Sequence, residues 1–542
     1  MKDRPAVKRF DDGSTIWEHT FEHFKVKVYV PFSPLKDSLV NYGYEAPYLL
    51  YFEENELTCE EAKKTADELG FSEIAASKES SVVFVMTTCK GGWAMETKEL
   101  FKELIANSKI HQYHKDGYAI LINKVFNTDD GYAIRGAIFR TYIYAHGAAA
   151  DYVAANLCQT IDGQGLWGLA DITPTCCILD ELSIVPVIGR RDMPIASIGN
   201  SFEINTAIEM QTDIFFMSDI LDVKVLYKEF LSHFLRWGWV GELSAPADFE
   251  GLDMTEEFCE AVVKTTPDNY GDYEGSEEHG IGYIAYYNND LFKKERVPLM
   301  LCFHGGGDSA MHIAQVSRWY RVAHDHDFLL VCVEDHLNST ASETIELLSI
   351  LKDKYPIDET RVYATGFSMG GCKTWDLYQE YPDIFAGMAP MDATFPVGYN
   401  LYNNPSPVEI NKDCPVPLFY VGGEETPLPE LPFQEIKCFE RMAYVFKVND
   451  LATPYSVTFE DKENWPDRIW GISGDEVFRY KDEDRNSILT VNTFKSRDGR
   501  TYTAFASVSG QGHECRYHSC ENAWLFLKRF SRKDGRIIID QG

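Results

Sequence analysis

The segment RVYATGFSMGGCKTW, from Arg361 to Trp375, contains the strongest signal for the fold of this chain. Ser368 lies at the centre of its G-x-S-x-G motif, Gly366-Phe367-Ser368-Met369-Gly370, between a short apolar strand and a segment with helical spacing. A serine on such a sharp turn requires glycines two residues before and after it, because side chains there would collide. The next backbone N–H and the positive end of the helix then face the place where an oxyanion forms. We therefore predict that Ser368 is a nucleophile. The alternative is a serine in a packing turn.

Strands and helices alternate in the chain before this motif. VPLMLCF (297–303) and FLLVCVE (328–334) are continuous apolar runs, typical of strands buried on both faces of a parallel sheet. The first run leads directly into His304-Gly305-Gly306-Gly307, and Thr340-x-x-Glu343 can cap a later helix. The alternation predicts βαβ units, an α/β fold class and a mostly parallel central sheet.

These motifs resemble the α/β-hydrolase fold. HGGGDSA, RVYATGFSMGG and YPDIFAGMAPMDA are most similar to the branch that holds polyhydroxybutyrate depolymerases and feruloyl esterases, and the resemblance covers about residues 275–540. It implies a serine carboxylic-ester hydrolase that forms an acyl-enzyme on acyl or aryl esters of feruloyl, acetyl or hydroxyalkanoate type. The backbone N–H of Met369, with that of Gly305 or Gly306, is the expected oxyanion hole.

The chain order of this fold, serine then acid then histidine, places the acid after a later strand. CPVPLFYVGGEETP (414–427) resembles the family's strand and acid loop, and the match puts Glu425 at the acid position. Glu424 and Glu430 are close enough in sequence to compete for this role. The predicted acid is Glu425.

The catalytic base is expected near the end of the chain. TAFASVSGQGHECRYHSC resembles the family ending in which a strand runs into Gly-His, and this makes His513 the base, with His518 as the alternative. Cys515, His518 and Cys520 form the competing metal-site interpretation, but their spacing matches no common zinc pattern. No metal and no cofactor is predicted.

The N-terminal half looks like a degenerate copy of the catalytic half. APYLLYFEENE (46–56) parallels VPLMLCFHGGG, with Glu53 in place of the histidine and Glu54, Asn55 and Glu56 in place of the glycines. RTYIYAHGAAADYVAANL (140–157) parallels the serine segment and places Gly147 at the nucleophile position. We predict a second hydrolase-like domain that lacks the nucleophile. The alternative is a coincidental βαβα pattern.

The predicted boundaries follow from this comparison and from composition. They are a degenerate domain over 1–240, an acidic linker or crossing over 241–280, and a catalytic domain over 281–542. An insertion of about 432–485 is either a lid over the site or a plain surface excursion. Gly163-x-Gly165-x-x-Gly168 imitates a dinucleotide fingerprint, but it neither follows a clear strand nor opens a clear helix.

Composition restricts the partners. The 542 residues contain 84 acidic and 51 basic side chains, a formal net charge of -33, which disfavours nucleic acid and anionic membranes. A small-molecule ester is the expected partner, with a homo-oligomer through the N-terminal domain as a further expectation. The charged N-terminus and the absence of an 18-residue apolar run favour a cytoplasmic protein, whose 13 cysteines are expected as reduced thiols. The rival functions are a serine peptidase of the same fold and a non-enzymatic scaffold protein.

Overall fold

The computed structural model divides the chain into two compact units, Met1–Asp248 and Phe249–Gly542. Gly163, Gly165 and Gly168 of the dinucleotide-like motif lie outside the described residues. Across the described ranges, no helix combines the length and apolar character needed to cross a membrane. The structure describes residues 5–31, 47–78, 80–108, 127–128, 131–132, 134, 136–159, 173–236, 243–244, 252–269, 273–306, 309–334, 336–393, 409–426, 428–482 and 486–539.

The first unit is built around a nine-stranded sheet in the order β1-β2-β3-β5-β4-β8-β9-β10-β11. The strands from β5 to β11 in this order are parallel, and β1 to β3 form an antiparallel extension. Its strands are β1 (Ala6–Arg9), β2 (Thr15–Thr20), β3 (Phe24–Val30), β4 (Pro47–Phe52), β5 (Val82–Thr87), β6 (Asn127–Thr128), β7 (Gly131–Tyr132), β8 (Ala137–His146), β9 (Cys176–Asp180), β10 (Ile195–Ile198), β11 (Phe215–Ser218), β12 (Leu235–Arg236) and β13 (Leu243–Ser244). Its helices are α1 (Cys59–Leu69), α2 (Phe71–Ser77), α3 (Lys98–Ser108), α4 (Ala148–Asn156), α5 (Phe202–Glu209) and α6 (Val223–Glu229).

The second unit contains a ten-stranded sheet in the order β14-β15-β17-β16-β18-β19-β20-β23-β22-β21. The strands from β17 to β23 are parallel, and antiparallel pairs extend both edges. Its strands are β14 (Met254–Lys264), β15 (Glu278–Asn288), β16 (Val297–Phe303), β17 (Leu329–Val333), β18 (Ile357–Phe367), β19 (Gly387–Met391), β20 (Leu418–Gly423), β21 (Glu476–Asp482), β22 (Ser487–Lys495), β23 (Thr501–Val508), β24 (Phe530–Lys533) and β25 (Arg536–Ile539). Its helices are α7 (Ala310–Val316), α8 (Trp319–His326), α9 (Ala341–Lys354), α10 (Met369–Glu380), α11 (Ile436–Val448) and α12 (Tyr517–Leu527).

The mostly parallel sheets and the α/β class agree with the sequence prediction. Strands β16 and β17 are buried along their whole length, as their unbroken apolar runs predict. The predicted capping box is present at α9, where the side chain of Thr340 accepts from the backbone N–H of Glu343. Strand β18 ends where the G-x-S-x-G motif begins its turn, so the sheet places Ser368 at its carboxyl edge.

Part of the segment predicted as an acidic linker or crossing over 241–280 is a strand of the sheet. Residues 254–264 form the edge strand β14, which pairs antiparallel with β15 over eleven positions. Glu260 is exposed on this strand, and Glu256 and Glu257 are half-buried on its opposite faces. Charged residues on such an edge discourage pairing with another chain, so they do not indicate a missing strand.

The predicted insertion over 432–485 also contains parts of the sheet unit itself. Helix α11 buries Met442 and Val445 in the same core as strands β16 and β18. At the other end of the segment, β21 pairs with β22 and forms the edge of the ten-stranded sheet. The part without a long helix or a sheet strand is therefore the shorter stretch 449–475.

The two sheets share one strand order over seven positions. In each, an antiparallel strand is followed by six parallel strands, and β5-β4-β8-β9-β10-β11 in the first unit corresponds to β17-β16-β18-β19-β20-β23 in the second. In the sequence, the segments of β4 and β8 parallel those of β16 and β18, which agrees with this correspondence. The shared order supports the predicted duplication.

In each unit, one buried tyrosine donates a similar hydrogen bond to a backbone carbonyl oxygen. The hydroxyl of Tyr142 on β8 donates to the carbonyl oxygen of Phe234 at 3.0 Å. The hydroxyl of Tyr363 on β18 donates to the carbonyl oxygen of Phe530 at 2.6 Å. Tyr142 stands five residues before Gly147, and Tyr363 stands five residues before Ser368. The hydrogen bond thus connects equivalent positions of the two sequences.

Buried arginines repeat a second contact. Nε of Arg236 donates to the carbonyl oxygen of Pro174 at 2.8 Å, two residues before β9. Nε of Arg532 donates to the carbonyl oxygen of Phe385 at 2.6 Å, two residues before β19. Because each bond joins segments far apart in sequence, the same pair of bonds is unexpected for two unrelated βαβα folds.

The backbone conformation of the turn at Gly147 is similar to that of the turn at Ser368. Gly147 precedes α4 with φ 57° and ψ -128°, and Ser368 precedes α10 with φ 53° and ψ -115°. A Cβ added to Gly147 would lie 2.8 Å from Oε2 of Glu54. Among its described residues the first unit therefore has a glycine in place of the nucleophile and a carboxylate oxygen where a serine side chain would begin.

We expect Gly147→Ala to lower the free energy of unfolding by about 1 to 2 kcal/mol, because its positive φ of 57° is one that side chains other than glycine rarely adopt. The contact with Glu54 should add little, since Oε2 is the end of a flexible, exposed side chain that can move away. Gly13→Ala is the control, because Gly13 also has a positive φ (86°) but nothing within 4 Å of the added carbon, and it should lose a similar amount. Chemical denaturation measures both losses. A loss in Gly147→Ala that Glu54→Ala removes would contradict this prediction.

Candidate active site

The turn between β18 and α10 holds Ser368 in a strained conformation. Its φ of 53° is in the region that side chains other than glycine rarely adopt. A Cβ added at Gly366 would collide with the carbonyl oxygen of Gly370, and one added at Gly370 would collide with that of Phe303 at the end of β16. The glycines of the motif thus allow the turn, as the sequence predicts, and leave Ser368 half-buried at the sheet edge.

His513 lies directly beside this serine. It follows β23, and its Nε2 lies 2.9 Å from Oγ of Ser368. The imidazole is buried and packs on the ring of Phe367, with 4.7 Å between the ring centroids. The alternative base His518 lies on α12, where its ring contacts Tyr480 instead. The structure therefore brings together the predicted serine and the predicted histidine.

The acid beside His513 is Glu430, which corrects the prediction of Glu425. Oε1 of Glu430 is hydrogen-bonded to Nδ1 of His513, on the side of the ring away from Ser368. The side chain of Glu425 is exposed, and among the described residues its backbone N–H donates to the carbonyl oxygen of Gln511. Serine, histidine and carboxylate thus form one continuous chain of hydrogen bonds with Glu430 at its end.

The neighbouring carboxylate Glu424 is occupied elsewhere. Its Oε1 accepts from the hydroxyl of Ser507 at 2.9 Å, and its Oε2 lies 3.2 Å from Nη2 of Arg468. Glu424 and Glu425 come immediately after β20, so they lie at the end of the strand and not beside the histidine. The acid loop is longer than the family match implied.

Several contacts fix Glu430 at the end of this loop. Oε1 of Gln434 accepts from the backbone N–H groups of Glu430 and Leu431, each at 2.8 Å. The hydroxyl of Tyr420 on β20 donates to the carbonyl oxygen of Glu430 at 2.7 Å. A sequence signal for this residue exists in PLPELP, where Glu430 is the one charged residue among prolines and leucines. An acid in such a setting is a candidate for burial.

A second buried carboxyl, Asp392, lies against Glu430 and was not predicted from sequence. It follows β19, has φ 47° and is 2% exposed. Burial raises the pKa of Glu430 well above its usual range, and burial with the nearby Glu430 charge does the same to the pKa of Asp392. The site therefore holds two carboxyl groups and one imidazole away from water.

The predicted oxyanion loop lies against the elbow. A Cβ added at Gly306 would lie 2.5 Å from Sδ of Met369. His304, just before the glycines, has Nε2 2.7 Å from the carbonyl oxygen of Glu334 and Nδ1 2.7 Å from that of Gly305. These contacts hold Gly305 and Gly306 next to the first turn of α10, where backbone N–H groups can face a developing oxyanion.

The cysteines near His513 form a sulfur cluster and no metal-like group. Sγ of Cys515 lies 3.5 Å from Sγ of Cys520 and 3.3 Å from Sδ of Met391. In the parts of the chain that the structure describes, no three His, Cys, Asp or Glu side chains are arranged to hold a metal ion. All thirteen cysteines are free thiols.

Sequence comparison with curated proteins identifies two relatives, both enzymes that act on esters. The chain is 21% identical over 269 residues to a bifunctional acetylxylan esterase/xylanase from Neocallimastix patriciarum, covering 48% of this chain and 35% of that protein. It is 29% identical over 113 residues to poly(3-hydroxyalkanoate) depolymerase C from Paucimonas lemoignei, covering 17% of this chain and 27% of that protein. The chain spans about a third or less of these relatives, and no protein-family model matches it.

Solved structures with a similar fold include two esterases. An acetyl xylan esterase from Aspergillus awamori is 11% identical, with 50% of this chain and 99% of that chain covered and a TM-score of 0.32. The feruloyl esterase module from Clostridium thermocellum is 11% identical, with 50% and 87% covered and a TM-score of 0.30.

The parallel sheet, the strained serine between β18 and α10, and the histidine after the last parallel strand are arranged as the resemblance predicts. Both curated relatives are named for reactions of this class, an acetylxylan esterase/xylanase and a poly(3-hydroxyalkanoate) depolymerase. The chain is an α/β-hydrolase-fold protein related to esterases of the acetylxylan esterase and polyhydroxyalkanoate depolymerase type.

Proposed function

We propose that this protein is a serine carboxylic-ester hydrolase whose catalytic triad is Ser368, His513 and Glu430. The observation that carries the proposal is the hydrogen-bond chain from Oγ of Ser368 through the imidazole to Glu430. Serine hydroxyls are weak nucleophiles near neutral pH until a neighbouring base accepts their proton. The chain supplies that base, and it supplies the carboxylate that fixes its tautomer.

In this mechanism Oγ of Ser368 attacks the carbonyl carbon of the ester while Nε2 of His513 takes the hydroxyl proton. Glu430 stabilises the imidazolium, and the backbone N–H of Met369 with that of Gly305 or Gly306 donates to the oxyanion. Collapse of the tetrahedral intermediate expels the alcohol, which receives the proton from His513. Water, activated by the same histidine, then releases the acid from the acyl-enzyme.

Acyl or aryl esters are the proposed substrates. The curated relatives are named for acetylxylan and poly(3-hydroxyalkanoate) substrates, and both classes are carboxylic esters of hydroxylated compounds. The high net negative charge of the chain favours neutral esters over anionic ones. For the first unit we propose a structural role, because Gly147 has no nucleophilic atom and Glu54 places a carboxylate at the turn.

Ser368→Ala should reduce the hydrolysis of p-nitrophenyl acetate by about 10⁴-fold or more, because no other atom can form the acyl-enzyme. Fluorophosphonate should label the wild-type protein at Ser368 and leave the variant unlabelled, which mass spectrometry of the modified peptide measures. Unchanged melting temperatures would show that the loss is chemical. An active Ser368→Ala variant, or a label on another residue, would contradict the proposed nucleophile.

Glu430→Gln should lower kcat by about 10⁴-fold, as is typical for loss of a triad acid, since the amide no longer favours the tautomer that Ser368 requires. Glu425→Gln is the matched control, because Glu425 belongs to the same loop but is exposed. Its kcat should stay within about threefold of wild type, the range expected for a surface substitution. Exchange of the two results would restore the original sequence prediction.

A further inference from the structure

Asp392 is a buried carboxyl in the site that the triad mechanism does not use. Its Oδ1 accepts from the backbone N–H of Gly423 at 2.8 Å, and Nε2 of Gln511 lies 3.4 Å from its Oδ2. Its backbone N–H donates to the carbonyl oxygen of Val421, so Asp392 is tied to the end of β20. These contacts direct its side chain toward the acid loop.

One carboxylate oxygen of Glu430 could accept a hydrogen bond from Asp392. Glu430 is fully buried, and Oε1 is taken by His513. Within the described residues, Oε2 has no hydrogen-bond partner. Burial has the largest effect on the pKa of the Glu430 carboxyl and raises it, while interactions with the side chains of Asp392 and Thr426 lower it. A buried carboxylate oxygen without a donor is costly, and native structures rarely leave one. A Cβ added at Gly422 would lie 3.4 Å from Oδ1 of Asp392 and 2.9 Å from the side chain of Leu431, so Asp392 lies beside the loop that carries Glu430.

The surroundings of the two carboxyls disfavour a double negative charge. Among the groups with the largest effects on Asp392 and Glu430, His513 is the one that can carry a positive charge. The others are the hydroxyl of Thr426 and the backbone N–H of Gly423. The further titratable neighbours are neutral because burial raises their pKa values: the phenol of Tyr420 and the thiols of Cys372, Cys515 and Cys520. Two adjacent anions with one cation between them are unfavourable in such a place.

We propose that Asp392 is a positioning residue whose carboxyl shares one proton with that of Glu430. This inference rests on the triad proposed above. Neutral Asp392 donates a hydrogen bond to the Glu430 carboxylate, and the pair carries a single negative charge. The proton resides on Asp392 because Glu430 already accepts from Nδ1–H of His513. Asp392 thereby orients the acid that orients the histidine.

The pH dependence of activity tests the charge on Asp392. The acid limb of the kcat/KM profile reports the pKa of His513 in the free enzyme, because only neutral imidazole can accept the serine proton. An ionised Asp392 would favour imidazolium and hold that pKa high, so removing the charge would move the limb to lower pH. A neutral Asp392 has no such charge to remove. Asp392→Asn distinguishes these cases, since Asn is neutral, nearly isosteric and able to donate through Nδ2.

With p-nitrophenyl acetate, we expect Asp392→Asn to keep the acid-limb midpoint within about 0.3 pH unit of wild type and kcat within about threefold. A downward shift of about one unit would mean that Asp392 is ionised, and it would overturn the shared proton. Glu425→Gln, which neutralises an exposed carboxylate in the same loop, is the control and should leave the midpoint unchanged.

Asp392→Ala removes the donor and should lower kcat by about 10- to 100-fold with little change in KM, as expected for loss of a hydrogen bond to a charged group. Recovery of kcat in the Asn variant separates this effect from a packing defect, and melting temperatures check the fold of both. Full activity in the Ala variant, or an Asn variant as impaired as the Ala variant, would overturn the positioning role.

Infrared spectroscopy can detect the protonated carboxyl of Asp392 in the resting enzyme, without substrate. The difference spectrum between wild type and Asp392→Asn at neutral pH should show loss of a protonated carboxyl band, and loss of a carboxylate band instead would overturn the proposal. Asp392→Ala serves the same comparison if the Asn variant does not fold. Fluorophosphonate labelling of wild type keeps the two proposals distinguishable: labelled Ser368 with a lost carboxylate band rejects the proton pair alone, whereas an unlabelled Ser368 rejects the proposed function.

Discussion

The close approach of helix α10 to the end of strand β16 is the constraint on which the site depends. Gly370 lies so near the carbonyl oxygen of Phe303 that a side chain there would collide with it. This approach forces the turn before the helix into the conformation that holds Ser368 at φ 53°. It also brings the first turn of the helix beside Gly306, so one contact positions both the proposed nucleophile and the proposed oxyanion donors.

The sequence predicts the parts of the site that local pattern encodes. Unbroken apolar runs indicate the buried parallel strands, and the glycines of the elbow indicate the strained turn, because each feature has a residue type that it requires. The histidine was found in the same way, from a strand that runs into Gly-His. The acid was misplaced, because loop length after a strand is not set by any periodicity and three glutamates were within reach. Asp392 could not be found from sequence, since its importance arises from Glu430, which folding brings beside it.

The acidic composition of residues 241–280 predicts a linker or crossing, yet residues 254–264 form an edge strand of the second unit. An edge strand tolerates charged side chains while its backbone pairs along the whole strand. Composition indicates how far a segment is exposed to solvent, but it does not indicate whether its backbone is paired in a sheet.

The turn at Gly147 couples two positions of the first unit. Its backbone geometry is similar to that of Ser368, so a serine there would have the backbone of the proposed nucleophile. Its Cβ would lie 2.8 Å from Oε2 of Glu54, whereas a change at Glu54 alone would add no reactive group. The two positions are therefore epistatic, because the effect of a serine at position 147 depends on the side chain at position 54.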